Sequence, residues 1–399
     1  KTEKIIILGG GSAGWMTAAT LISQFPNKDI TVVESPNTPI IGVGESTLGA
    51  INDWLKLLNI KDEDFMPYTD ASYKLSIRFE NFYEKDLRLG KQNWFFEKDK
   101  PITDFANFVN SQMSLVNQNT IFKNEDGILP NFNFSKDVAY HFDAIKFGAW
   151  LRENYCKPKG VKHIIEDIDI DNIYVNDEGN IVCLNKVSQE NKLEADFFID
   201  CTGFKSMLLN HVGAEFLSYN DLLPNNHAWA TRMPYINKKE QLRPYTNCTA
   251  LGNGWVWNIP SWERIGTGYV FSDKYITKEE ALNEFKDYLK SNGNDVDNLE
   301  FKLIPMRVGI HKEIFKNNVC GIGLSAGFIE PLESNGLLSV HEFLKRLVKL
   351  LERNGDKVSR YDIDGFNYSC KKFFDSFALF VSTHYALSHR DDTEYWKDI

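Results

Sequence analysis

An amine, a carboxylate and a pair of indoles are the side chains of this sequence with the most chemistry to offer. Lys74 lies in Ser72-Tyr73-Lys74-Leu75-Ser76-Ile77-Arg78-Phe79-Glu80, which alternates with period two and so predicts one strand. Tyr73, Leu75, Ile77 and Phe79 take one face; Lys74, Ser76, Arg78 and Glu80 take the other. Lys74 is then either a solvated lysine or an amine in an interior cavity, where it could position or capture an electrophile. Glu333 stands in Gly327-Phe328-Ile329-Glu330-Pro331-Leu332-Glu333-Ser334-Asn335-Gly336, ahead of a segment whose apolar residues recur at helical spacing to Leu351. It is either a first-turn carboxylate favoured by the helix dipole or a base that takes a substrate proton. The amides of Asn335 and Gly336 are expected at or near the helix N-terminus, where unpaired N–H groups attract an anion. Trp255-Val256-Trp257-Asn258-Ile259-Pro260 puts two indoles on one face of a strand that Pro260 ends. Read alone, the pair is core packing.

These groups need elements to position them, and the N-terminus supplies the plainest one. Lys4-Ile5-Ile6-Ile7-Leu8 reads as a strand buried on both faces. Gly9-Gly10-Gly11-Ser12-Ala13-Gly14 follows, then a helical pattern from Trp15 to Ser23 and a strand Ile30-Thr31-Val32-Val33 ending at Glu34. This is G-x-G-x-x-G in strand–turn–helix context, with an acidic residue about twenty positions on. Gly9 permits the tight turn, Gly11 the approach of a pyrophosphate and Gly14 close helix–strand packing, while Glu34 accepts from ribose. The motif indicates a dinucleotide without choosing between FAD and NAD. Two segments favour FAD. Ile41-Gly42-Val43-Gly44-Glu45-Ser46-Thr47 suits a backbone strap over a flat ligand, leading into a helix near Leu48 to Leu58. Phe197-Phe198-Ile199-Asp200-Cys201-Thr202-Gly203-Phe204 is a strand ending in a small-residue turn. No second G-x-G-x-x-G appears, so reduced flavin is expected to come from elsewhere.

Composition bounds the rest. At 399 residues the chain exceeds the size at which one core stops growing. A net charge of −10 argues against nucleic acid as a partner. No apolar run approaches a membrane span and no signal sequence is visible, so a cytoplasmic protein is expected. Six scattered cysteines favour neither structural disulfides nor a metal site. Asn172 to Lys192 reads as strands joined by a turn at Asp177-Glu178-Gly179-Asn180.

Taken together, these strings resemble the flavin-dependent halogenases of the tryptophan halogenase family. The likeness rests on the fingerprint followed by Trp15, the Gly42–Thr47 strap, Tyr73-Lys74, Ile199 to Phe204, Trp255 to Pro260, and Pro331-Leu332-Glu333-Ser334. Ala139-Tyr140-His141-Phe142-Asp143 and Arg390-Asp391-Asp392-Thr393 look like family strings as well, and the likeness spans the chain. It implies an α/β fold with an FAD-binding Rossmann-type domain like that of two-domain FAD monooxygenases, with a mixed sheet and a helical substrate part. It implies FAD delivered as FADH2 by a separate flavin reductase, with O2 and a halide ion (chloride or bromide) as co-reactants. Hypohalous acid then passes through a tunnel to Lys74, and Glu333 assists substitution on the arene. FAD would contact Gly9, Gly11, Ser12, Ala13, Gly14, Glu34, Gly44, Glu45, Ser46, Leu324 and Leu337. Asn335 and Gly336 would bind halide through backbone N–H groups, with Asn335 standing where the family often has threonine. Trp255, Trp257, Ile259, Pro260, Phe95 and Phe96 would wall the tunnel and substrate space.

The resemblance implies a small aromatic as the arene. Members acting on free tryptophan usually run longer than Ile399, and no histidine neighbours Asn93-Trp94-Phe95-Phe96-Glu97, so a more open pocket for indole-like or phenolic substrates is expected. An FAD-dependent aromatic hydroxylase and a non-catalytic flavin-binding protein stay open as alternatives. The FAD-binding domain is expected from 1–71, 134–215 and 305–352, and the substrate-facing part from 72–133, 216–304 and 353–399, with a homo-oligomer compatible with both.

Overall fold

A computed structural model describes residues 3–38, 42–85, 134–188, 191–353 and 357–399. Lys4–Leu8 (β1), Ser12–Gln24 (α1) and Asp29–Glu34 (β2) follow one another as the fingerprint requires. The strap holds the short strand Gly44–Ser46 (β3), and the expected helix after it covers Ile51–Leu57. Where a single strand was expected at 72–80 there are two, Ser72–Lys74 (β4) and Ser76–Glu80 (β5). The break falls at Leu75, whose N–H leaves the ladder to donate to the Pro244 carbonyl. The two halves therefore join different sheets. Ala139–Asp143 (β6) runs into Ala144–Trp150 (α2), and Lys162–Ile165 (β7) and Phe197–Asp200 (β8) complete the first half.

His227–Met233 (β9), Tyr245–Leu251 (β10), Gly254–Pro260 (β11) and Ile265–Phe271 (β12) form the middle of the chain, covered by Lys278–Ser291 (α3). Lys302–Pro305 (β13), Phe315–Lys316 (β14) and Val319–Gly321 (β15) come next. Two helices follow, Leu338–Arg353 (α4) and the 27-residue Arg360–Ala386 (α5).

Three sheets place the functional segments. The first runs β14-β15-β8-β1-β2-β7 and is parallel from β15 to β7, the Rossmann-type layer. The β-branched run of β1 is explained by its two buried faces: Ile5 and Ile7 enter the main core, Ile6 and Leu8 a second core on the other side. The second sheet, β13-β9-β12-β11-β10-β5, is antiparallel apart from the β10–β5 pair. Along β11, Trp255, Trp257 and Ile259 face the main core, while Val256 faces α3 with Ala281, Phe285 and Leu289. The third sheet has three strands, β3-β6-β4, and joins the strap to the lysine strand through β6.

Trp257 pairs across the ladder with Gly268, and that glycine makes room for the indole: a Cβ there would lie 2.1 Å from the Trp257 ring. Gly268→Ala should therefore displace the ring and cost about 1–3 kcal/mol by overpacking. Urea denaturation of the variant beside the wild type checks this.

Candidate functional site

The glycine fingerprint divides into packed and open positions. Gly9 has φ +121°, and a Cβ there would meet the Cys201 carbonyl oxygen at 2.1 Å; one on Gly14 would meet the Gly9 oxygen at 2.0 Å. A Cβ on Gly11 would meet nothing within 4 Å. The one open glycine thus stands at the start of α1, where Ser12 and Ala13 begin a helix with no acidic residue in its first turn. A phosphate can approach there. Glu34 closes the far end of β2 and accepts from His163 Nε2 at 2.7 Å, and His163 packs edge-on against Trp15. A cavity of about 410 Å³ opens beside it, lined by Glu34, Ser35, Thr38, Arg152, Lys157 and His163. Both of its cations pair with Glu153, which also lines it, Arg152 at 2.9 Å and Lys157 at 2.7 Å; an acid for ribose hydroxyls and an open backbone approach fit the adenosine and pyrophosphate half of FAD. A larger shallow groove along α5, about 540 Å³, is lined by Arg346, Tyr368 and Phe373 and contains none of the expected site residues. Leu324 lies in the turn Gly323–Ser325, which sits on Ala13: a Cβ on Gly323 would meet the Ala13 Cβ at 2.7 Å.

The strap is pinned at both ends. Arg232 Nη2 donates to the Gly42 carbonyl at 2.7 Å, and β3 pairs with β6. Gly44 lies against Gly266 of β12, where a Cβ would stand 3.2 Å from the Gly44 nitrogen. Ser46 Oγ contacts Thr246 Oγ1 at 2.6 Å and Ser334 Oγ at 3.0 Å, tying the strap to the segment that carries Glu333. Glu45, between them, is half-buried. That desolvation pushes its carboxyl up to about 8. Its Oε2 would be 3.2 Å from a Cβ on Gly336.

Lys74 is 2% exposed, so it is not a solvated lysine. Its Nζ donates to the Thr47 carbonyl at 2.7 Å, one residue beyond Ser46. Glu333 is equally buried and sits 2.6 Å from His384 Nε2. His384 comes from α5, packed against Phe79 of β5 with ring centroids 4.9 Å apart. Its Nδ1 donates to the Val381 carbonyl at 3.0 Å, which leaves Nε2 without a proton in the neutral ring. The 2.6 Å contact therefore ties Glu333 to α5. Removing either partner of such a buried pair costs about 3–5 kcal/mol. The sequence reading missed His384, although Phe366, Cys370, Phe374, Ala378, Val381 and Tyr385 recur at helical spacing around it.

The indoles connect to the same segment. Trp255 and Trp257 pack edge to face with centroids 6.3 Å apart, and Trp255 Nε1 donates to Glu330 at 3.3 Å. Glu330 is fully buried and also accepts from Tyr385 Oη and, at 3.1 Å, from Asn225 Nδ2. Burial outweighs these bonds and pushes its carboxyl up to about 7. Trp257 Nε1 is buried and has no partner among the described residues. Ile259 lies over Gly44, and the Pro260 carbonyl accepts from Ser72 Oγ at 2.8 Å. The two aromatic positions Phe95 and Phe96 lie outside the described residues.

Asn335 and Gly336 lie just ahead of the helix N-terminus rather than in its first turn. Ser334 takes a left-handed conformation after the turn Pro331–Glu333, and α4 begins only at Leu338, after Leu337. The αL residue inserts a bend that separates the turn from the helix. Asn335 Nδ2 donates to the Ile329 carbonyl at 3.2 Å, which fixes the loop. No acceptor among the described residues takes the backbone N–H of Asn335 or Gly336. Two adjacent amides with partial positive charge suit a small anion or a carbonyl oxygen.

The family described as tryptophan halogenase matches residues 4–399. The chain is 34% identical over 429 aligned positions to 7-chloro-L-tryptophan 6-halogenase KtzR of Kutzneria sp. (strain 744), covering 99% of this chain and 81% of that protein. Among solved structures, the apo structure of VirX1 is 43% identical with a TM-score of 0.89, covering 100% of this chain and 79% of that one. The tryptophan 6-halogenase SttH of Streptomyces toxytricini is 32% identical with a TM-score of 0.86, covering 99% and 81%.

An anion bound beside Gly336 would meet Glu45, whose titration would give that binding a pH signature. Below pH 8 its carboxyl is neutral and an anion is tolerated; above pH 8 it becomes a carboxylate and repels one. Bromide affinity of the FAD-loaded protein should fall at least about fivefold between roughly pH 6 and pH 9.5. Titration with bromide at the two pH values checks it, with Glu45→Gln flattening the dependence.

Proposed function

Because this chain belongs to the tryptophan halogenase family, and is therefore a flavin-dependent enzyme that halogenates an electron-rich aromatic, we propose that it uses FADH2 from a separate reductase, O2 and a halide to halogenate an indole-like or phenolic arene through Lys74 and Glu333. The observation that carries this reading is the placement of Lys74. It is a buried amine fixed on Thr47, one residue from the strap serine that bonds Ser334, beside Glu333. A lysine folded into a dry interior in this way serves a reacting group rather than solubility.

Gly9, Gly11, Ser12, Ala13, Gly14 and Glu34 would hold the adenosine and pyrophosphate of FAD, with Gly44, Glu45, Ser46, Leu324 and Leu337 around its ring system. Reduced FAD, when bound, supplies the two electrons with which O2 converts halide to hypohalous acid and water. Asn335 and Gly336 offer their backbone N–H groups to the halide. The Lys74 ammonium donates to the oxygen of hypohalous acid and holds the halogen towards the arene. An arene carbon attacks the halogen, the oxygen–halogen bond breaks, and the departing oxygen takes the lysine proton to leave as water. Glu333 takes the proton released from the substituted carbon and restores aromaticity; the proton then returns to Lys74. Trp255, Trp257, Ile259 and Pro260 separate the flavin side from the arene, so the arene does not meet the flavin directly. We assign residues 1–71, 134–215 and 305–352 to the flavin-binding part, and the remainder to the arene.

Lys74→Ala should lower halogenated product by about 100-fold or more while reduced flavin is still oxidised, and Glu333→Gln should lower turnover by a similar factor. Product analysis by mass spectrometry, alongside flavin oxidation monitored by absorbance, checks both. Product that survives Lys74→Ala and does not depend on halide would instead indicate a hydroxylase.

A further inference from the structure

The turn at Cys201-Thr202-Gly203 and the turn Gly323–Ser325 flank the start of α1, and a cation that the chemistry above does not use joins them. On one side the Cys201 carbonyl packs on Gly9; on the other Gly323 packs on Ala13. Gly203 has φ +70°, and a Cβ there would meet nothing within 4 Å, as at Gly11. Arg307 follows β13. Its Nη2 donates to Ser206 Oγ at 2.6 Å and to the Leu324 carbonyl at 3.4 Å. Ser206 Oγ donates onward to the Ser325 carbonyl at 2.7 Å, and Ser325 Oγ donates back to the Gly203 carbonyl at 3.2 Å. Both serines are completely buried.

Each proton in this relay has one direction. A guanidinium only donates and a carbonyl only accepts, so the Ser206 hydroxyl takes a bond from Arg307 and gives its own proton to Ser325. Ser206 does so from a left-handed conformation, with φ 42°. A residue other than glycine holds such a backbone only when its surroundings fix it. The charge matters as well. Asp200, completely buried, accepts from the N–H groups of Thr202, Leu208 and Leu209 and from Thr202 Oγ1. Burial lowers the basicity of Arg307, and the charge of the nearby Asp200 carboxylate acts against that. The guanidinium therefore offsets a carboxylate that would otherwise disfavour an anion arriving at the start of α1. It is a poor device for stability alone. It lies 4.2 Å over the Phe216 ring but leaves its Nε buried without a partner among the described residues.

We propose that Arg307 is a positioning residue for FAD, clamping the Thr202-Gly203 turn to the Gly323–Ser325 turn so that both hold the middle of the dinucleotide against α1. This rests on the flavin placement proposed above and adds a residue that acts on it through two turns. Without the guanidinium the Ser206 hydroxyl loses its donor, and the two turns lose the cation that ties them. The loss falls on the affinity for flavin and not on the steps at Lys74 and Glu333.

Titration of the flavin-free protein with FAD, followed by flavin fluorescence, tests it. Arg307→Met should weaken FAD binding about tenfold or more, and Arg307→Lys, which keeps a cation and a donor, should stay within about threefold of wild type. Ser206→Gly removes the relay hydroxyl while suiting the left-handed backbone, and should weaken FAD binding about three- to tenfold. Because both residues act in one relay, the double variant Arg307→Met with Ser206→Gly should bind FAD about as weakly as Arg307→Met alone. Wild-type affinity in Arg307→Met overturns the proposal, as do a failure of Arg307→Lys to recover affinity and losses that multiply in the double variant. If Arg307→Met does not fold, Ser206→Gly decides, and unchanged affinity there overturns the clamp. Wild-type protein that fails to bind FAD overturns the flavin placement and the clamp with it. The readout does not use halogenated product, so it separates the clamp from the reaction.

Discussion

The site depends on the pairing of β6 with two partners. On one edge β6 binds the strap, with His141 opposite Ser46; on the other it binds the lysine strand, with His141 opposite Ser72. One residue therefore sets the register of both segments. A slip of one position on either edge would turn Ser46 or Lys74 to the opposite face of the sheet. The short length of β3 and β4 makes such a slip inexpensive in backbone terms. Side chains guard against it: Ser72 and His141 both donate to the Pro260 carbonyl, which ends the tryptophan strand.

A second constraint comes from burying polar groups away from water. Lys74, Glu330, Glu333, His141 and His384 are all nearly inaccessible, and each would be costly if left unmatched. The fold answers with two separate networks. One runs from Glu330 through Asn225, Tyr385 and Trp255, and fixes the indoles. The other runs from His141 through Thr246 and Ser46 to Ser334. Between them lies the Glu333–His384 contact. The left-handed backbone at Ser334 (φ 57°) is the local cost of presenting a carboxylate, a hydroxyl and two amides from four consecutive residues.

Much of this was legible because it is local. The fingerprint, the doubly buried β1 and the T-G turn follow from glycine spacing and from a period that needs no distant partner. The tryptophans could be given a face from the period of two, and both do point into the main core. What the sequence did not reveal is what depends on distant partners. The strand at 72–80 splits because Leu75 bonds Pro244, from a segment no periodicity predicts. His141 is defined by contacts 105 and 119 residues away, and His384 by one 51 residues away. The helical spacing around His384 was readable, but the carboxylate that gives it meaning was not. The amides of Asn335 and Gly336 do lie near the helix N-terminus, but the residue types did not show that Ser334 would turn left-handed and set them ahead of it.

The central claim is that a buried lysine and glutamate direct an oxidised halogen onto an arene. It is tested most directly by mass spectrometry of a panel of indoles and phenols incubated with the protein, FAD, NADH, a flavin reductase, O2 and bromide. The account predicts products in which one bromine, with its isotope doublet, replaces one hydrogen, and none when bromide is omitted. Hydroxylated products that form equally well without halide would contradict it.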